Sequence, residues 1–324
     1  VRAVGTNQFS QGYSSTLLPI TATHTYNNVL PALNLVWSLR DNLLMRFGVS
    51  RDLARPNLTD VAASTAVTVS GTQFNVKTGN PHIQPFLDNA YDLAFEWYPA
   101  QGTLLAVAPF RKDVLHFVAT QTTNTVFHDN PFGVPDSLAV TACGSTPGCG
   151  PNSTWAFSTP VNTPGGRIDG VELNYQQPLR FLPGILRNMG MLMNYTYVSS
   201  SLKYQIAPNT YVNNQLLGSS KHTAGATLYY EDTKWSIRVS GAYRSRYLTQ
   251  IPGQEVGTDA DGWNATFNLD ASLQYNVTRS FKVTLEGVNL TDQYENEFDD
   301  TSRNLPYYYH HTGRQVLLGA RYQY

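Results

Sequence analysis

From Trp263 to Thr278 apolar and polar residues alternate without a break. Trp263, Ala265, Phe267, Leu269, Ala271, Leu273, Tyr275 and Val277 fall on one side. Asn264, Thr266, Asn268, Asp270, Ser272, Gln274, Asn276 and Thr278 fall on the other. A period of two belongs to a β-strand with one apolar and one polar face. At roughly 3.3 Å per residue this strand would run about 50 Å. A tilted strand needs about 9–11 residues to cross a bilayer, so the segment is long enough to cross and project. With aromatics at both ends of its apolar face, it reads as the wall of a transmembrane barrel, with lipid outside and polar groups inside.

The pattern recurs. Met45, Phe47 and Val49 alternate with Arg46, Gly48 and Ser50, and Tyr91, Leu93, Phe95 and Trp97 with Asp92, Ala94 and Glu96. Trp235, Ile237, Val239, Gly241 and Tyr243 alternate with Ser236, Arg238, Ser240, Ala242 and Arg244. Together these predict about twelve strands, near 1–8, 26–39, 43–54, 86–98, 103–124, 155–178, 189–203, 219–232, 234–248, 263–278, 280–290 and 313–324. Most alternate connections are short (40–42, 99–101, 232–234 and the turn at Arg279); the others are long (about 9–25, 55–85, 125–154, 204–218, 249–262 and 291–312). Short turns on one rim and long loops on the other match bacterial outer-membrane barrels, whose short turns are periplasmic and long loops extracellular. The expected class is all-β, an antiparallel transmembrane β-barrel forming a single domain over 1–324.

Composition removes other classes. No run of 18 apolar residues exists, so no transmembrane helix is expected. The mean hydropathy of −0.29 does not argue against a barrel, because its strands hide the apolar half in alternation. Net charge is −1, which gives no nucleic-acid surface. Val1 stands where an initiator Met would be and no signal peptide is visible, so the chain reads as a processed product or a fragment. Cys143 and Cys149, the only cysteines, bracket Gly144-Ser145-Thr146-Pro147-Gly148. In an exported protein this spacing favours a disulfide over free thiols, and no further ligands at metal-site spacing are near. The chain ends Gly319-Ala320-Arg321-Tyr322-Gln323-Tyr324, which resembles the terminal strand read by the outer-membrane assembly machinery. Tyr322 and Tyr324 would sit at the periplasmic interface, where amphipathic rings prefer to lie.

Several segments look like the C-terminal barrel half of TonB-dependent outer-membrane receptors. They include Leu30-Pro31-Ala32-Leu33-Asn34-Leu35, Leu44-Met45-Arg46-Phe47, Arg55-Pro56-Asn57-Leu58 and Gly79-Asn80-Pro81. Tyr91-Asp92-Leu93-Ala94-Phe95-Glu96-Trp97-Tyr98 and, most tellingly, Val288-Asn289-Leu290-Thr291-Asp292-Gln293-Tyr294 join them, in order across essentially the whole chain. The spelling most resembles the branch found in proteobacteria such as Caulobacter and Xanthomonas, many of whose members are linked to carbohydrate uptake. The resemblance implies the second half of a 22-stranded barrel. It also implies a plug and an N-terminal barrel half, supplied by the same polypeptide or another chain. Through the plug the TonB system would drive import of a scarce nutrient, here expected to be a carbohydrate, with a siderophore–iron complex as the alternative. Lipid and lipopolysaccharide would surround the wall. No cofactor and no enzyme activity are implied. From other classes, a passive porin or an outer-membrane enzyme barrel remains open.

The candidate ligand residues are loop aromatics: Tyr204, Tyr211, Trp263, Tyr307, Tyr308 and Tyr309, with His310 beside them. Their flat faces suit sugar rings or aromatic siderophores and bind with little loss of side-chain entropy; an interfacial aromatic girdle is the competing explanation. A metal at His310-His311 is disfavoured because adjacent strand residues point to opposite faces. Asp259-Ala260-Asp261-Gly262 resembles the start of a calcium loop, but the rest of the twelve-residue pattern is missing, so no metal is expected there. The inward Arg238, Arg244, Arg246, Asp92, Glu96, Glu172 and Asp270 are expected to form a polar lumen network or to face a plug. No Gly-x-Ser-x-Gly, His-Glu-x-x-His or phosphate-loop motif is present.

Overall fold

A computed structural model describes residues 1–13, 19–207, 209–253, 255 and 257–323; Tyr324 lies outside the described residues. The strands are β1 (Arg2–Tyr13), β2 (Pro19–Leu30), β3 (Ala32–Arg40), β4 (Leu43–Ala54), β5 (Thr65–Ser70), β6 (Gln73–Thr78) and β7 (Phe86–Trp97). Then come β8 (Leu104–Val126), the helix α1 (Asp136–Cys143), β9 (Thr154–Pro178), β10 (Met189–Ala207), β11 (Thr210–Asn214), β12 (His222–Glu231) and β13 (Trp235–Arg244). The last are β14 (Tyr247–Gln250), β15 (Asp261–Trp263), β16 (Thr266–Asn276), β17 (Phe281–Val288), β18 (Glu295–Asp299), β19 (Leu305–His310) and β20 (Gln315–Tyr322). One antiparallel wall runs β20-β17-β16-β13-β12-β10-β9-β8-β7-β4-β3. It is all-β and transmembrane in pattern, as expected, and it does not close: β3 and β20 are its edges.

The wall gains its outer face from register. Trp37, Met45, Phe95, Val107, Leu173, Tyr195, Ala224, Tyr243 and Phe267 stand opposite one another in turn across nine strands. Trp37 is 58% exposed and Phe267 45%, though both are large and apolar. A row of this kind is costly in water and stable against lipid. The alternate positions carry polar pairs: Arg46 Nε donates to Glu96 Oε1 at 2.7 Å, and the Tyr98 hydroxyl donates to Glu96 Oε2 at 2.8 Å. Wherever Ala224, Ala226 and Gly241 interrupt the large residues, the outer wall dips into a groove of about 810 Å³ flanked by Tyr195, Tyr243 and Phe267. That groove belongs to the lipid-facing relief, and Tyr243 and Phe267 bring one side of it to the long-loop ends of β13 and β16.

Three expectations need correction. The unbroken strand from Trp263 to Thr278 is two: β15 ends at Trp263 and β16 begins at Thr266. The chain leaves the wall here because Asp261–Trp263 pair with β14 and β18, and Asn264 N–H donates to the Asn296 carbonyl at 2.9 Å. The strand at 26–39 is interrupted at Pro31, which has no N–H to give a ladder. Much of the expected loop 9–25 is strand, because β1 and β2 form a hairpin from Arg2↔Leu30 to Tyr13↔Pro19. Asp270 also caps a turn, its Oδ1 accepting from Asn289 N–H at 2.8 Å. The long loops also hold β5, β6, α1, β11, β14, β15, β18 and β19. Above the bilayer both faces of a strand can be polar or packed, so the alternation that marks wall strands disappears. Among the described residues no helix is long and apolar enough to cross a membrane.

Candidate functional site

The loop end is built on strands that overshoot the bilayer. β8 has 23 residues and β9 has 25, more than twice what a crossing needs. Their upper parts, with that of β10, bury a cluster that includes Val114, Phe117, Ile168, Leu202, Leu248 and Phe298. Gly166 lets β9 and β10 approach, since a Cβ there would run into the main chain of Ser201.

Tyr204 lies inside this cluster at 2% exposure, edge-on to Phe117 with ring centroids 5.2 Å apart. Its hydroxyl accepts from Leu217 N–H and donates to the Gln215 carbonyl, both at 3.0 Å. Burial pushes this phenol up to about 12. In this structure the ring is a packing element of the cluster. A second buried cluster holds Val76, Phe127, Trp155 and Phe157 around α1. Cys143 and Cys149 are joined there, with Cα atoms 5.5 Å apart, and Trp155 Nε1 donates to the Gly150 carbonyl at 3.0 Å.

A separate four-stranded sheet, β14-β15-β18-β19, crowns the last loops. Tyr247, Trp263, Glu297 and Tyr308 stand opposite one another in sequence across it. Arg244 lies over the Tyr247 ring at 3.6 Å, and Trp263 meets Tyr308 edge-on with centroids 6.3 Å apart. Burial pushes the Glu297 carboxyl up. The opposite face supplies Leu248 and Phe298 to the buried cluster, with Arg246 over Phe298 at 3.6 Å.

This sheet sorts the sequence-predicted residues. It brings Trp263 and Tyr308 together. Strand alternation on β19 sends Tyr309 to the other side from Tyr308, and Tyr309 is 72% exposed; at Tyr307 the register shifts, Tyr308 standing opposite Glu297 and Pro306 opposite Phe298. His310 stands opposite Glu295, while His311 is tied to Asp292 at 3.1 Å, so the two histidines do not converge. Tyr211 is 44% exposed on β11, a different hairpin. Gly319 stands opposite Thr284, and Tyr322 opposite Phe281 at the short-turn rim with 67% exposure. Tyr247, Arg244 and Glu297 join the aromatic row without having been singled out from sequence. Their link is cross-strand register, which periodicity within one segment does not carry. Among the described residues no three or more His, Cys, Asp or Glu side chains gather as a protein-only metal cage.

No curated protein matches the chain in sequence. Solved structures match in shape. A variant of the ferric enterobactin receptor PfeA from Pseudomonas aeruginosa aligns over 99% of this chain and 42% of its own, at 13% identity and TM-score 0.61. The siderophore receptor PirA from Acinetobacter baumannii aligns over 91% and 41%, at 15% identity and TM-score 0.59. The ferric-catecholate import receptor Fiu from E. coli aligns over 98% and 40%, at 16% identity and TM-score 0.60. The chain thus spans about two-fifths of the length of these receptors. Residues 1–290 match the family model described as TonB dependent receptor-like, beta-barrel. With an unclosed antiparallel wall, an apolar outer belt and long-loop extensions, the chain belongs to the TonB-dependent receptor β-barrel family of the outer membrane.

Proposed function

We infer that the chain is the C-terminal barrel portion, a single unit, of a receptor that captures a scarce small molecule on extracellular loops and imports it with TonB-supplied energy. A plug and an N-terminal barrel half complete it and carry the coupling to TonB. It performs no covalent chemistry and needs no cofactor. The observation that carries this reading is the pairing of a lipid-facing wall with a built loop end, where ordered strands and two buried clusters hold exposed Tyr309 and Tyr211 clear of the wall.

For the ligand, an iron–siderophore complex stands ahead of a carbohydrate. The carbohydrate reading rests on sequence spelling. The siderophore reading draws on the solved barrels of like shape, which are named as siderophore or ferric-catecholate receptors. Exposed tyrosines serve either ligand through flat apolar faces. The test is uptake by cells expressing the full-length receptor, given labelled ferric siderophores and labelled oligosaccharides, with and without TonB. TonB-dependent uptake of a ferric siderophore is the expected result. Uptake of oligosaccharide alone restores the carbohydrate reading, and solute flux independent of TonB makes the chain part of a porin.

A further inference from the structure

The apolar outer belt is interrupted at the middle of the wall. Ala224 and Ala226 on β12 stand opposite Tyr195 and Met193, and Gly241 on β13 stands opposite Leu269. These three small residues floor the groove of about 810 Å³. A Cβ on Gly241 would stand 3.3 Å from Phe267 Cε2, so the bare glycine lets that ring lie close and form one side. Met193 and Tyr195 form the other, and Leu228 and Val239 line the deeper end. From Tyr243 to Val239 the groove follows β13 for about 13 Å. Its place excludes the parts that would complete the receptor. The open edges of the wall are β3 and β20, whereas the groove lies between β10 and β16. An N-terminal barrel half would add strands at those edges, and a plug would stand on the polar face. What surrounds the groove is the belt that faces lipid.

The long-loop end of the groove is polar and cationic. His222 opens β12 two residues before Ala224, so both side chains project from the same face. It stands opposite Tyr197, and its Nδ1 shares a hydrogen bond of 2.8 Å with the hydroxyl of Tyr195, a residue of the groove wall. Lys221 Nζ lies 5.8 Å from the centroid of the Tyr197 ring. Lys221 takes part in none of the ion pairs among the described residues. A cation and an imidazole therefore stand at the mouth of an apolar slot, where the wall strands give way to the loops.

We propose that this groove seats one anionic, phosphate-bearing lipid from the leaflet on the long-loop side. One acyl chain lies over Ala224 and Ala226, and the headgroup phosphate meets Lys221 and His222. With the Tyr195 hydroxyl donating to Nδ1, the imidazole hydrogen is on Nε2 and can be given to a phosphate oxygen. The chain is held by close packing, because it fills a hollow that would otherwise forfeit dispersion contacts. The charge supplies selectivity, since an ammonium at a membrane surface attracts anionic lipid. The inference rests on the outer-membrane wall and is independent of which nutrient the loops capture.

The test uses the full-length receptor, purified in detergent and stripped of lipid. Phosphatidylglycerol or phosphatidylcholine of the same chains is added, and bound lipid is counted by native mass spectrometry. Wild type should bind one phosphatidylglycerol at least tenfold more tightly than phosphatidylcholine. Lys221→Gln should erase that preference. Ala226→Trp fills the slot with a side chain at home on a lipid face, and should weaken both lipids at least tenfold. Equal binding of the two lipids to wild type overturns the seat, as does unchanged binding to Ala226→Trp whose heat-modifiable folded band is at wild-type level. A second measurement needs no variant. Phosphatidylglycerol with a photoreactive acyl chain is activated beside wild type in phosphatidylcholine vesicles. Label should gather on 193–195 and 224–228 in preference to the outer residues of β4 and β7. Even labelling around the belt overturns the proposal, and a lipid-independent dimer crosslinked through 224–228 replaces it with an interface between two copies.

Discussion

The Leu217 N–H donates to the buried Tyr204 hydroxyl at 3.0 Å, so a residue of the long loop after β11 is held from inside the cluster on β8, β9 and β10. Tyr204→Phe removes this acceptor and orphans the Leu217 N–H, together with the Gln215 carbonyl that the same hydroxyl serves. Loss of about 2 kcal/mol of local stability is expected. Amide hydrogen exchange should quicken at 215–217 while the wall strands keep their protection. Unchanged exchange there would show that the loop is held by other contacts.

The same phenol makes the loop end sensitive to alkali. Its folded value is about 12, above the usual tyrosine value near 10. A raised folded value means that the stabilisation is complete below pH 10 and is lost as pH rises from 10 through 12. The loss is at most about 2 kcal/mol. Tyr204 lies in the part of β10 beyond the bilayer, where it is open to titration once the loop loosens. Chemical unfolding of the loop end across pH 9–12 should show the decline in wild type and a flatter profile in Tyr204→Phe.

Cys143 and Cys149 close a short loop at the end of α1. Mass spectrometry should find both thiols blocked to alkylation until a reductant is added. Replacing both by serine should cost about 2 kcal/mol in the second cluster, the loop-closure value for so small a ring. Free alkylation of the native protein would exclude the bond.

Tyr322 is exposed opposite Phe281 on the edge strand, and Tyr324 follows two residues later. Rings at this rim anchor a wall in the interface. The double substitution Tyr322→Asp with Tyr324→Asp should lower the folded, heat-modifiable fraction in outer membranes several-fold without altering ligand affinity of what folds. A normal folded level would assign these residues no part in assembly.

An alanine scan of Tyr211, Trp263, Tyr307, Tyr308 and Tyr309 in the full-length receptor should divide into two groups. Loss of Tyr309 or Tyr307 is expected to weaken ligand binding by about 1–2 kcal/mol, the scale of an aromatic contact. Loss of Trp263 or Tyr308, which touch each other, should lower crown stability more than affinity. Tyr204→Ala should act only through folding. If every folded variant binds as wild type, the ligand is held by the plug or the N-terminal half and these rings are a girdle.

The alternation of apolar and polar residues by itself determined the wall. β4, β7, β13 and β17 match the predicted segments closely, and the outer belt is read directly from Met45, Phe95, Val239 and Leu285. Lipid on one side and polar groups on the other impose a period of two, so each wall strand declares itself locally. The family was legible for the same reason, through short spellings placed along those strands. What the tertiary structure alone decided lies above the bilayer, where no such solvent asymmetry acts. That Tyr204 is buried, that Trp263 meets Tyr308 but parts from Tyr309, and that Asp261 faces Asp299 are consequences of register between segments tens of residues apart. Those pairings are set by hydrogen-bond ladders and by how three overlong strands lean together, and no period within a single segment encodes them.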